Sequence, residues 1–154
     1  MFFISSYHSY REHIFLTLLA EILKAKTMLQ LVNFRVNHNQ TRILIFSGRI
    51  VPLPSRYFYY LTTVKEVNHK SIKPLCLSLI KFLKRITIKF NISSIQELEN
   101  SFLNLSYNDI KGLLQNDAKL TLAVHGFLQY CRKEEKILFK FNEDDLLTSR
   151  NKSI

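Results

Sequence analysis

Glycine and proline are scarce, with three of each in 154 residues. So few turn-formers argue against a loop-rich or many-turned all-β fold and leave helices joined by short connections. Tryptophan is absent, and the two cysteines, Cys76 and Cys131, have no C-x-x-C spacing and no histidine close in sequence. That is the pattern of buried thiols in a reducing cytoplasm, not of a zinc site. Long apolar runs are missing too. The best stretch, residues 14–23 (IFLTLLAEIL), is broken by Glu21 and lacks a small-residue cleavage site, so it suits neither a membrane span nor a signal peptide. There is no glycine-rich phosphate loop, no nucleophile with a base at recognisable spacing and no pair of metal-ligand motifs, which sets enzymatic activity aside.

The most informative absence is of acid. Residues 28–95 hold Arg35, Arg42, Arg49, Arg56, Lys65, Lys70, Lys73, Lys81, Lys84, Arg85 and Lys89 against Glu66 alone, an excess equal to the formal net charge of +10. The flanks nearly cancel. A field so localised calls for an anionic partner, commonly a phosphate backbone. The remaining composition, 47% apolar and 22% charged, is that of one folded domain with a real core.

Residues 12–32 predict a buried helix, apolar over more than half of its circumference. Met28 offers a second start where the charge character changes, which makes residues 1–27 a candidate extension outside the functional product. Residues 42–51 predict a short extended segment with a bend at Gly48, closed by Pro52 and Pro54. Residues 55–64 (SRYFYYLTTV) predict a short amphipathic helix. The strongest helical pattern spans residues 71–90, with Ser71 as N-cap and Pro74 in the first turn. At about 100° per residue, Ile72, Leu75, Cys76, Leu79, Phe82, Leu83 and Ile86 share one side. Lys73, Lys81, Lys84, Arg85 and Lys89 share the other, and Ile80 and Ile88 fall outside this division. A short acidic helix follows at 95–102. Ser106 and Asp109 have capping-box spacing, and Asp117 caps a longer helix whose Leu120, Val124, Phe127, Leu128 and Cys131 recur at three and four, ending in Arg132 and Lys133. Residues 142–154 read as a flexible tail.

The segments YFYYL, SIKPLCLSLIKFLKRI, LSYNDIKGLL and LTLAVHGFLQYCRKEEKI together resemble the core-binding domain of tyrosine recombinases, the phage-integrase-like family. Phe82 and Leu83 stand at the F-L ending of its second helix. Phe127 and Tyr130 form the F-x-x-Y element of its fourth, followed by Arg132 and Lys133. The resemblance implies a mostly α chain: a four-helix, SAM-like bundle with, here, an extra N-terminal helix and a short extended segment. The domain reading is residues 1–51 for those extras, 52–141 for the DNA-binding bundle and 142–154 for the tail. The family's catalytic Arg, Lys, H-x-x-R pair and Tyr nucleophile belong to a following domain, and none of that set maps onto the end of this chain. The loop between the second and third helices is also longer than the family's. The resemblance thus implies a DNA-binding half without its catalytic half, a truncated or split integrase of mobile-element origin.

The expected DNA contacts are Lys70, Lys73, Lys81, Lys84, Arg85, Lys89 and Arg56, all to phosphates of double-stranded DNA, which gives affinity without reading sequence. No catalytic residue, metal, cofactor or small-molecule substrate is expected. The location expected is the cytoplasm, with no transmembrane segment, and with self-association or association with a separate catalytic chain. Tyr57, Phe58, Tyr59 and Tyr60 suit base stacking, but four consecutive aromatics on a helix point in every direction, so at least two belong to the core. His125 reads as a buried or rim histidine, and Glu143, Asp144 and Asp145 as solvated charge in the tail. The alternative reading is a basic helical protein that meets an acidic protein partner or an anionic membrane surface.

Overall fold

A computed structural model describes residues 12–16, 18, 28–36 and 39–151. The chain is mostly α, with a small antiparallel sheet ahead of the helices. Strand β1 (Leu29–Val36) pairs with β2 (Asn39–Phe46) in a register running from Leu29↔Phe46 to Val36↔Asn39, and β2 pairs with the short β3 (Arg49–Ile50). Ser47 and Gly48 turn β2 into β3 with φ of 53° and 70°. Two central residues at positive φ match the right-handed twist of the strands, and glycine takes the second without a Cβ clash.

The sheet corrects one expectation and enlarges another. Residues 12–16 are helical, but 29–32, read from the sequence as the end of that helix, are strand; residues 17 and 19–27 of the expected helix lie outside the described residues. Residues 24–27 (KAKT) separate the apolar run from β1 but contain no glycine or proline to punctuate the chain, so the change of period from 3.6 to 2 is not marked. The pairing with β2, which no local pattern reveals, decides it. On β2, Arg42, Leu44 and Phe46 share the face toward the helices, and Leu44 and Phe46 are fully buried. The Leu44 N–H donates to Ser55 Oγ at 3.0 Å and the Val51 N–H to the Leu44 carbonyl at 2.8 Å. The core therefore continues across residue 52 from sheet to helix.

Helix α1 (Pro52–Thr63) begins three residues earlier than predicted, because Pro52 occupies its first turn, where a missing N–H leaves nothing unpaired. It buries Leu53, Tyr57, Phe58 and Leu61, while Tyr59 is exposed. Two of the four aromatics are thus core. The Tyr57 ring lies 5.2 Å from that of Phe127 and 5.1 Å from that of Tyr130. Gly126 keeps this contact open, since a Cβ there would stand 3.2 Å from the Tyr57 hydroxyl.

Helix α2 (His69–Lys89) starts before Ser71: Asn68 is the N-cap and its side chain accepts from the Lys70 N–H. Pro74 consequently falls inside the helix and not in its first turn. Near an exposed end, the carbonyl it leaves without a partner can face water, which is why the helix tolerates it. The core side is as read, with Ile72, Cys76, Leu79, Phe82, Leu83 and Ile86 buried. Of the two residues outside the pattern, Ile80 is buried and Ile88 is 80% exposed.

Helix α3 (Ile95–Leu103) is capped by Ser94, and α4 (Tyr107–Leu114) carries the Ser106/Asp109 capping box in both directions. Helix α5 (Ala118–Lys133) is capped by Asp117 through the Leu120 N–H. Helix α6 (Asp144–Asn151) replaces part of the expected tail. Glu143 and Leu146 are buried, because a carboxylate and one leucine find partners on α5 and the core that sequence neighbours do not disclose. Residues 152–154 lie outside the described residues. Cys76 and Cys131 are free thiols with no exposed surface, between helices. Burial pushes the Cys76 thiol up to about 12 and raises that of Cys131 as well.

The scarcity of glycine has a structural cost. Glu66, Asn91, Gln115, Asn116 and Lys136 all take left-handed φ between 51° and 58° at turns or helix ends. Gln115, the exposed C-cap of α4 with φ 51° and ψ 38°, is the simplest to test. The left-handed region costs an L-residue about 1–2 kcal/mol, and glycine's extra chain entropy returns about 0.5–1 kcal/mol of that. Gln115→Gly should therefore stabilise the fold by roughly 0.5–1 kcal/mol, read as a higher urea midpoint at unchanged slope.

Candidate nucleic-acid interface

Helix α2 turns Lys70, Lys73, Leu77, Lys81, Lys84 and Ile88 outward in one stripe, because its other side is committed to the core. The seven cations selected from the sequence divide into three groups. Lys70, Lys73 and Lys84 are exposed and have no ion-pair partner among the described residues. Lys81 and Lys89 are exposed but paired: Lys81 Nζ lies 3.5 Å from Asp117 Oδ2 and Lys89 Nζ lies 3.3 Å from Asp109 Oδ1. Arg85 and Arg56 are committed elsewhere.

Arg85 is half-buried and donates through Nη1 to the Leu113 carbonyl at 2.7 Å. Leu113 sits in the last turn of α4, whose carbonyls have no helical partner. Arg85 thus closes a helix end and ties α2 to α4. Arg56 donates to Glu135 Oε1 at 2.7 Å, and the Tyr130 hydroxyl donates to the same oxygen at 2.8 Å. The hydrogen bond to Glu135 raises the Arg56 pKa. Burial opposes ionisation of Glu135, but its bonds from Arg56 and Tyr130 outweigh that and hold its carboxyl below the ordinary range. Glu135 follows α5 and Asp117 precedes it, so Arg56 and Lys81 stand at opposite ends of a 16-residue helix, about 24 Å apart along its axis.

The two acids facing α2 are structural. The Ser106 backbone and side-chain hydrogen bonds, with help from Lys89, lower the Asp109 pKa; the Leu120 N–H, with help from Lys81, lowers that of Asp117. Each carboxylate caps a helix with one face and neutralises a lysine with the other. The pairs are exposed, so each contributes little to stability and exchanges readily with other anions.

Between α2 and the start of α5 runs a groove of about 380 Å³, lined by Lys73, Leu77, Ser78 and Lys81 from one side and Asp117 and Lys119 from the other. Lys119, exposed, is a cation the sequence reading passed over. It lies outside the basic block and only the α2–α5 packing brings it there; no local signal marks it. Among the remaining cations of the block, Arg35 and Arg49 are exposed on the sheet. Arg42 is buried, its Nη2 3.3 Å from His69 Nε2, and so serves the junction of β2 with α2. The block of charge is thus not one surface.

Among the described residues no group of three or more His, Cys, Asp or Glu side chains could hold a metal ion, and no helix is long and apolar enough to cross a membrane. Fold and surface define a mostly α chain with one cationic helical face. No family model, curated protein or solved structure matches it.

Proposed function

We propose that the chain is a non-catalytic DNA-binding module, of the core-binding kind that its sequence resembles, which holds duplex DNA by its phosphates. The observation that carries this reading is the α2 stripe, where Lys70, Lys73 and Lys84 stand unpaired. Lys119 extends it across the groove, and Lys81 is released once a phosphate displaces Asp117. Arg56 and Arg85 leave the set of contacts, because Glu135 and the Leu113 carbonyl hold them.

Anisotropy titration of the full chain against a labelled duplex, between about 50 and 200 mM salt, tests the reading. The four unpaired lysines, Lys70, Lys73, Lys84 and Lys119, with Lys81 as a fifth once released from Asp117, give a slope of about −4 in log K against log salt. A slope near zero would overturn it. A second reading draws on the two apolar residues of the stripe, Leu77 at 52% and Ile88 at 80% exposure. Lysines interleaved with such residues suit an anionic membrane surface or an acidic partner, and binding to anionic vesicles with no preference for the duplex would favour it.

A further inference from the structure

The C-terminal end of α5 carries a second set of cations, already occupied by the protein's own carboxylates. The last turn of the helix presents Arg132 and Lys133. The chain turns at Lys136, with φ 57°, and brings Glu143 and Asp144 back against the helix. Arg132 Nε donates to Glu143 Oε1 at 2.5 Å, and His125 Nε2 lies 3.0 Å from Asp144 Oδ1. The His125 bond, with the nearby charges of Arg132 and Lys133, lowers the Asp144 pKa. Beside these contacts lies an open groove of about 620 Å³ lined by Arg132, Phe139, Lys140, Phe141, Glu143 and Asp144.

Two features make this contact displaceable. Glu143 is fully buried, yet its second oxygen, Oε2, meets no hydrogen-bonding group of the described protein. A carboxylate buried with one oxygen satisfied is costly to keep in place. Helix α6, which it leads into, has Leu146 as its only buried side chain among those described. The Arg132 side chain, by contrast, stays 44% exposed, so an incoming anion reaches the guanidinium before the carboxylate has left.

We propose that this end of α5 is a second phosphate-binding surface, formed by Arg132, Lys133 and Lys140, and that Glu143 and Asp144 act as a clip that occupies it until a nucleic-acid backbone displaces them. Carboxylate and phosphate oxygens present the same acceptors to a guanidinium, and phosphate carries the greater charge. The helix end itself has a negative dipole worth about half a charge and carries the exposed Glu134 as its C-cap, and three cations outweigh the two together. Glu135 does not oppose the exchange, being matched by Arg56. The inference rests on the DNA-binding reading and adds contacts about 24 Å along α5 from the α2 groove.

The test compares the full chain with Glu143→Gln/Asp144→Asn in the salt titration. A charge-matched control, Glu97→Gln/Glu99→Gln, adds the same charge on α3. The clip variant should bind duplex DNA several-fold more tightly, with a slope steeper by about 2 units, and the control should leave the slope unchanged. In the unaltered chain, adding DNA should speed hydrogen exchange at the α6 amides. Because Glu143 is buried, Asp144→Asn/Asp145→Asn, which alters exposed positions, must change the slope in the same direction. If the unaltered chain binds DNA and the clip variants behave like the control, the clip is overturned and the α2 reading stands. If neither the chain nor any variant binds, both fall. Binding by the clip variants alone would overturn both the α2 reading and the displacement of the clip, because the nucleic acid then never removes Glu143 and Asp144 from the unaltered chain.

Discussion

Reversing Lys73, Lys84 and Lys119 to Glu together should abolish most duplex binding, lowering affinity on the order of a thousandfold at about 100 mM salt and flattening the salt slope from about −4 to about −1. The three residues belong to two helices, and they are chosen because none has an ion-pair partner among the described residues. Their replacement therefore removes phosphate contacts without breaking a contact that holds the fold. The matched comparison is Arg35, Arg49 and Lys65 to Glu, which moves the same charge on the sheet side and the loop after α1. If both triple variants weaken binding equally, net charge and not the α2–α5 face is responsible. Equal melting curves of the variants and the unaltered chain are part of the expected result, since exposed lysines contribute little to stability.

The largest expected loss of stability is at the opposite side of the same helix. Phe82 is fully buried on the core face of α2. Phe82→Ala should destabilise the fold by about 3–5 kcal/mol, the transfer of a large side chain plus the cavity it leaves. Against a total of about 5–15 kcal/mol for an ordinary domain, that is about a fifth of the whole or more. Urea unfolding should show a lower midpoint at an unchanged slope. A change below about 1 kcal/mol would mean that α2 does not pack as described. The two experiments separate the faces of α2, one read by binding and the other by unfolding.

What could be read from the sequence is what depends on neighbours a few residues apart. The Ser106/Asp109 box and the Asp117 cap were legible because each closes within three residues. The division of α2 into core and cation was legible from its period. The sheet was legible at β2 and β3, which the extended segment 42–51 covers, but not at β1, which is defined by a pairing from Leu29 to Phe46. Asn68 took the cap from Ser71 although both residues favour that position, and helical propensity did not separate them. At the candidate site, lysine placement was visible but freedom was not. The partner of Lys89 lies 20 residues away, that of Arg85 28, that of Lys81 36 and that of Arg56 79. Counting cations on a helical wheel therefore overstates the charge available to a ligand, and it misses Lys119, supplied by another helix.

The two sealed thiols make the protein its own stopwatch. Cys76 and Cys131 have no exposed surface, and each is pushed toward the unreactive protonated form, while only the thiolate attacks an alkylating reagent. Cys76 belongs to α2 and Cys131 to α5, the helices that flank the groove. Alkylation at either site must wait for the packing around α2 and α5, including Tyr57 of α1 that lies against both thiols, to open, so labelling under native conditions times how often the interior opens. The same reaction run with a nucleic acid present would register whether an occupant of the groove holds the pair closed, with no dye or tag added to the chain.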